Sequence, residues 1–119
     1  MADAPILVVD DDDAIRQTVA EILEIEGYRV AAAANGQEAL ERVGEVKPSL
    51  VLLDMRMPIM DGWGFARELR QRGIKLPILV MTAAQNARSL AEEIGADGYV
   101  AKPFDLDDLL GKVERLRAG

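Results

Sequence analysis

Ile6-Leu7-Val8-Val9-Asp10-Asp11-Asp12-Asp13 is four aliphatic residues followed at once by four acids. An apolar run without polar alternation is the pattern of a strand buried on both faces. Beyond the acids, Ile15, Val19 and Ile22 recur at helical spacing, and Gly27 stands where a C-terminal cap belongs. The stretch reads as strand, acidic turn, helix, and the unit repeats. Further strand candidates are Tyr28-Arg29-Val30-Ala31, Leu50-Val51-Leu52-Leu53, Ile78-Leu79-Val80-Met81 and Gly98-Tyr99-Val100-Ala101. Asn35, with Glu38 three residues on, reads as an N-cap with its capping-box partner, ahead of Ala39, Leu40 and Val43. Phe65, Ala66 and Leu69 mark a third helix, stopped near Gly73. Leu90, Ala91 and Ile94 mark a fourth, stopped at Gly95. Asp105 caps a fifth, with Leu109, Leu110, Val113 and Leu116 on its core face. This (βα)₅ alternation predicts an α/β doubly wound fold with a parallel sheet, not a bundle or a sandwich.

Size and composition agree. A chain of 119 residues holds one domain, 1–119. Surface scaling gives about 18,900 Å² unfolded and about 6,300 Å² folded, so roughly two thirds is hidden without staples. The charge is 14 Lys+Arg against 21 Asp+Glu, or −7, which weighs against gripping nucleic acid. With no Cys, disulfides, thiolate zinc sites and cysteine nucleophiles are excluded. With no His, the chain is not a histidine-relay hydrolase, a His-ligated metalloenzyme or a phosphohistidine carrier. The apolar runs are far too short to span a membrane, and Met1-Ala2-Asp3-Ala4-Pro5 lacks the basic start of an export signal. A soluble cytoplasmic protein with no membrane partner is expected.

In a doubly wound fold, ligands sit beyond the carboxyl ends of the strands. Asp10 to Asp13 follow the first strand, Asp54 the third, Thr82 and Ala83 the fourth, and Lys102-Pro103 the fifth. Asp10, Asp11 and Asp54 would bring mutually repelling carboxylates into one cleft. A hard divalent cation offsets that repulsion, and Mg²⁺ suits it because it takes one or two carboxylates, waters and a phosphate. Lys102 adds a positive charge and Thr82 a neutral donor. Together they suit a phosphoryl group carried on a carboxylate nucleophile. Taken singly, each residue outside the Asp10-Asp11 pair reads as a solvated loop or a helix cap, as Asp12 or Asp13 does. Their common placement at one end of the sheet outweighs that reading.

The chain resembles the receiver domains of bacterial two-component response regulators over essentially its whole length. The motifs are Ile6-Leu7-Val8-Val9-Asp10-Asp11, Leu53-Asp54-Met55-Arg56-Met57-Pro58 with Met60-Asp61-Gly62, Met81-Thr82-Ala83, and Gly95-Ala96-Asp97-Gly98-Tyr99 running into Ala101-Lys102-Pro103-Phe104. The resemblance implies a flavodoxin-like sheet in the order 2-1-3-4-5 with helices on both faces. It implies that Asp54 is the phosphoacceptor and that Asp10, Asp11, Asp54 and the backbone carbonyl of Arg56 hold Mg²⁺. Thr82 matches the switch hydroxyl, Tyr99 the switch aromatic, and Lys102 the lysine that pairs with phosphate, its bond to Pro103 expected to be cis. The donor is then a histidine kinase, a histidine phosphotransfer protein or a small acyl phosphate. The domain catalyses only its own phosphorylation and dephosphorylation, so it is not an enzyme in the ordinary sense.

Arg56 and Ala84 are candidate modulators of hydrolysis. Arg56 would hinder water and Ala84 would leave its side open, in which case Arg56→Ala or Arg56→Asn changes the acyl-phosphate lifetime; the equal alternative is a solvated surface arginine. The output face is expected on the fourth helix, fifth strand and fifth helix, contacting a downstream protein, with the chain a monomer or a phosphorylation-dependent dimer. Arg88, Asp97, Asp108 and Lys112 fall at positions resembling the charged dimer contacts of winged-helix transcription regulators, while Gly98 stands where those carry an acid. Solvated helix charges are the reading taken for this set. Met55, Met57 and Met60 are read as core or loop filling, and Trp63 as a reporter near the site. The ending Leu116-Arg117-Ala118-Gly119, with no linker, is expected of a stand-alone receiver. The alternative is a receiver excised from a longer regulator with a C-terminal output domain. Two rivals from other classes are an aspartyl phosphatase, which would need a second carboxylate in the nucleophile's loop and a cap, and an interaction module with a vestigial site.

Overall fold

The computed structural model describes residues 4–83 and 85–117. Each apolar run forms a strand: β1 Ile6–Val9, β2 Val30–Ala33, β3 Leu50–Asp54, β4 Ile78–Thr82 and β5 Gly98–Ala101. The helices between and after them are α1 Asp13–Ile25, α2 Gly36–Val46, α3 Gly62–Gln71, α4 Ala87–Ile94 and α5 Leu106–Leu116. All strand pairs are parallel, in the order β2-β1-β3-β4-β5. This is the doubly wound (βα)₅ fold expected.

Alternation along the strands builds two cores. Leu7, Val9, Val51, Leu53 and Val80 face α2, α3 and α4, meeting Leu40, Val43, Phe65, Leu69, Leu90 and Ile94. Ile6, Val8, Leu50, Leu52, Leu79, Met81 and Val100 face α1 and α5, meeting Val19, Leu23, Leu109 and Val113. Burying each such side chain contributes about 1.5–3 kcal/mol, which is why the strands carry no polar face. The folded surface is 6411 Å², close to the area expected for this mass. Met55 is fully buried, and Met57 and Met60 pack against the first core, so the methionines fill core and loop.

The caps anticipated from sequence are present. Asp12 accepts from Ile15 N–H and Asp105 from Asp107 and Asp108 N–H. Asn35 accepts from Glu38 N–H, while the Glu38 carboxylate returns a bond to Ala34 N–H. Three strand boundaries differ: β3 runs on to Asp54, β4 runs on to Thr82, and β2 is displaced. The second strand occupies Val30–Ala33, not Tyr28–Ala31. Register with β1 decides it, pairing Ile6 with Val30 and Val9 with Ala33. Tyr28 instead packs beside the second core, under the Arg117 guanidinium.

Candidate functional site

Strand parity positions the site. Asp10 continues the Ile6, Val8 face of β1, and Asp54 ends the Leu50, Leu52 face of β3. Both carboxylates therefore emerge at the carboxyl edge of the sheet on the α1–α5 side. Asp10 is fully buried and Asp54 only 9% exposed, while Asp11 is exposed. Carboxylate oxygens of Asp10, Asp11 and Asp54 lie within 4.8 Å of one another.

Lys102 enters from beyond β5, its N–H bonded to Thr82 O, so the strand ladder carries it to the same edge. The Lys102-Pro103 bond is cis. The Lys102 ammonium stands 2.6 Å from Asp10 Oδ2 and 3.7 Å from Asp54 Oδ2. Thr82 ends β4, one residue past Met81, the register partner of Asp54, and is buried. Tyr99 lies in β5, partly buried against the α4 side of the core. Lys112 donates to Tyr99 O at 2.6 Å and holds its ammonium 4.9 Å from the ring centroid.

Backbone donors set the carboxylates. Asp10 Oδ1 accepts from Asp12 N–H at 2.9 Å, and Asp54 Oδ1 from Met55 N–H at 2.8 Å. Burial pushes the Asp54 carboxyl up from 3.8 to about 6; Asp10 and Asp11 push the same way, while Lys102 and the Met55 N–H oppose. The donor set is all oxygen, converging and anionic, which fits a small hard dication such as Mg²⁺.

Sequence reasoning missed Arg16, Ile59 and Glu93, and gave no contacts for Gly62, Arg56 and Trp63. Arg16, from α1, donates to Asp10 O at 2.8 Å and pairs with Asp13, clamping the acidic turn from behind. Ile59 is a β-branched residue at φ 70, and 81% exposed, in the loop after β3. Gly62 packs so close that an added Cβ would stand 2.9 Å from Asp54 O and 2.6 Å from Met55 Sδ. Arg56 is exposed, with its guanidinium 5.8 Å from the Trp63 ring centroid. Trp63 in turn donates through Nε1 to Glu93 on α4 at 2.8 Å. Ala84 lies outside the described residues.

The charged set near the fifth strand divides. Arg88 pairs with Glu92 and Asp108 with Lys112, both one turn apart on a helix. Asp97 is not a helix charge: it accepts from Ile78 N–H at 2.9 Å and ties the start of β4. Lys112 is likewise committed to Tyr99 O, so for these two the reading as solvated helix charges is corrected. Among the described residues, no helix is long and apolar enough to cross a membrane.

The family model described as the response regulator receiver domain matches residues 6–114. The response regulator MprA of Mycolicibacterium vanbaalenii is 43% identical over 113 residues, which is 93% of this chain and 49% of that protein. The chain thus spans about half the length of the curated relatives it matches. Among solved structures, Vibrio cholerae chemotaxis protein CheY4 aligns with a TM-score of 0.86 and 34% identity, covering 97% of this chain and 99% of that one. TrrA of Thermotoga maritima, in complex with Mg(2+)-BeF, aligns with a TM-score of 0.84 and 40% identity, covering 93% and 96%.

Proposed function

This chain belongs to the response regulator receiver family, and from that premise we propose that it is a phosphorylation-controlled switch whose acceptor is Asp54. It serves two-component signalling. The observation that carries the reading is the convergence of three carboxylates and the Lys102 ammonium at one end of the sheet.

Asp10, Asp11 and Asp54, with the Arg56 backbone carbonyl, would hold Mg²⁺. The ion, when bound, offsets the carboxylate repulsion and neutralises charge on the phosphoryl oxygens. An Asp54 carboxylate oxygen attacks the donor phosphorus. The bond from phosphorus to the donor nitrogen or oxygen breaks, and a departing imidazole takes its proton from solvent. Lys102, drawn from Asp10 toward the new dianion, pairs with a phosphoryl oxygen, and the Thr82 hydroxyl donates to another. Water attack on the phosphorus later returns Asp54 and free phosphate. The domain promotes these two steps on itself, not turnover of an outside ester.

The donor we infer is a histidine kinase or a histidine phosphotransfer protein. An apolar groove of about 530 Å³ supports protein docking beside the acceptor: Ile15, Thr18 and Val19 of α1 face Pro103 and Phe104 across it, and Lys102 borders it. The output follows from Thr82 and Tyr99 shifting an existing equilibrium of the α4-β5-α5 face, which changes affinity for a downstream protein. The greater length of the curated relatives supports the alternative that this receiver works as one part of a longer regulator.

Beryllofluoride titration with Mg²⁺, followed by fluorine NMR, tests the pocket. A bound resonance that needs the metal and disappears in Asp54→Asn is expected. Its absence from the wild-type protein would overturn the reading in favour of a vestigial site.

A further inference from the structure

Arg56, two residues past the acceptor, has an exposed side chain that is nonetheless engaged. Its guanidinium lies over Trp63, the second residue of α3 and the one Trp in the chain. That ring is fixed by its Nε1–H bond to Glu93 on α4. The two contacts join the loop after β3 to a helix of the output face. Helix α4 also lacks a side-chain cap: among the described residues, Asn86 at its N-cap makes no capping bond, whereas Asp12, Asn35, Asp61 and Asp105 each cap theirs.

We propose that Trp63 is a positioning residue that holds Arg56 off the phosphoryl group, with Glu93 orienting the ring, so that the placement of α4 sets the acyl-phosphate lifetime. The inference deepens the proposed function and rests on Asp54 being the acceptor. A phosphoryl group brings a charge of about −2 within the span of a flexible arginine. The Trp63 face competes for the same cation through an exposed cation–π contact. Arg56 divides its time between the two. Over the phosphoryl oxygens it obstructs the attacking water; over the ring it leaves the path open. A partner that draws Glu93 away from the ring therefore prolongs the phosphorylated state.

The test is a double-mutant cycle on the dephosphorylation rate of the acyl-phosphate-loaded chain with Mg²⁺. Trp63→Leu should lengthen the lifetime about threefold, the size an exposed cation–π contact allows. Arg56→Ala should shorten it, and the double variant should match Arg56→Ala. Glu93→Ala should lengthen it in the same direction as Trp63→Leu, while Glu93→Gln, which keeps an oxygen acceptor, restores the wild-type rate. A Trp63→Leu effect that persists in the Arg56→Ala background would show a merely structural role and overturn the inference. So would four unchanged lifetimes, with the acceptor reading intact. A wild-type chain that takes up no phosphoryl group would overturn both.

Discussion

Asp54 carries two consequences of its burial. In the metal-free chain its carboxyl titrates near 6 when folded, against 3.8 ordinarily. The folded state holds the proton more tightly, so this group makes stability fall as pH rises from about 4 to about 6, and then level off. Asp54→Asn removes the charge. The metal-free variant should be more stable than wild type at pH 7 by on the order of 2 kcal/mol, with the gap closing near pH 4. Thermal melts across that range check it, and a variant that loses ground as pH rises would contradict it. Ile59 carries strain of another kind. Its left-handed backbone costs of order 1–3 kcal/mol for a β-branched residue, and an 81% exposed side chain recovers little by packing. Ile59→Gly should raise Tm by a few degrees, despite the added entropy of the unfolded chain. Asp10, Asp11, Asp54 and Lys102 were legible in the sequence because each follows an apolar strand run. Arg16, Ile59 and Glu93 were not, because an arginine on a helix, a loop isoleucine and a surface glutamate acquire meaning only from neighbours distant in the chain.

Among the elements, the β3–α3 loop is the most tightly built around the site. Gly62 donates to Met55 O at 2.9 Å and leaves no space for a side chain beside Asp54 O. Gly36, at the start of α2, donates to Met60 O at 2.8 Å and has equally little room. Gly62→Ala should therefore cost about 1–3 kcal/mol and slow phosphorylation by displacing the acceptor backbone. Urea melts and initial phosphorylation rates read the two effects separately; full stability at the wild-type rate would show that the loop yields freely. Among the described residues, helix α4 has no side-chain cap at its first turn. Its first-turn amides should exchange with solvent faster than those of the capped α1 and α5. Helices were legible from apolar spacing and caps. The second strand was displaced by two residues because Ala31, Ala32 and Ala33 have weak strand preference, so pairing with β1 placed it, not its own composition.

For the whole molecule, the near-continuous apolar runs foretold a sheet covered on both faces, and the two cores bear that out. The order of the strands was not written in any run. It came with the family resemblance, since hydrophobicity alone does not say which buried strand neighbours which. The parallel sheet has a direct functional consequence: it brings residues from four strand ends, separated by as many as 92 positions, to one edge. This edge is proposed to accept a phosphoryl group on Asp54 with the aid of a divalent cation. Intact mass after incubation with Mg²⁺ and a small acyl phosphate, beside Asp54→Asn and a magnesium-free sample, tests it most directly. One phosphoryl adduct is expected on the wild-type chain, only with the metal. An adduct of equal yield on Asp54→Asn, or on the wild type without metal, would contradict it.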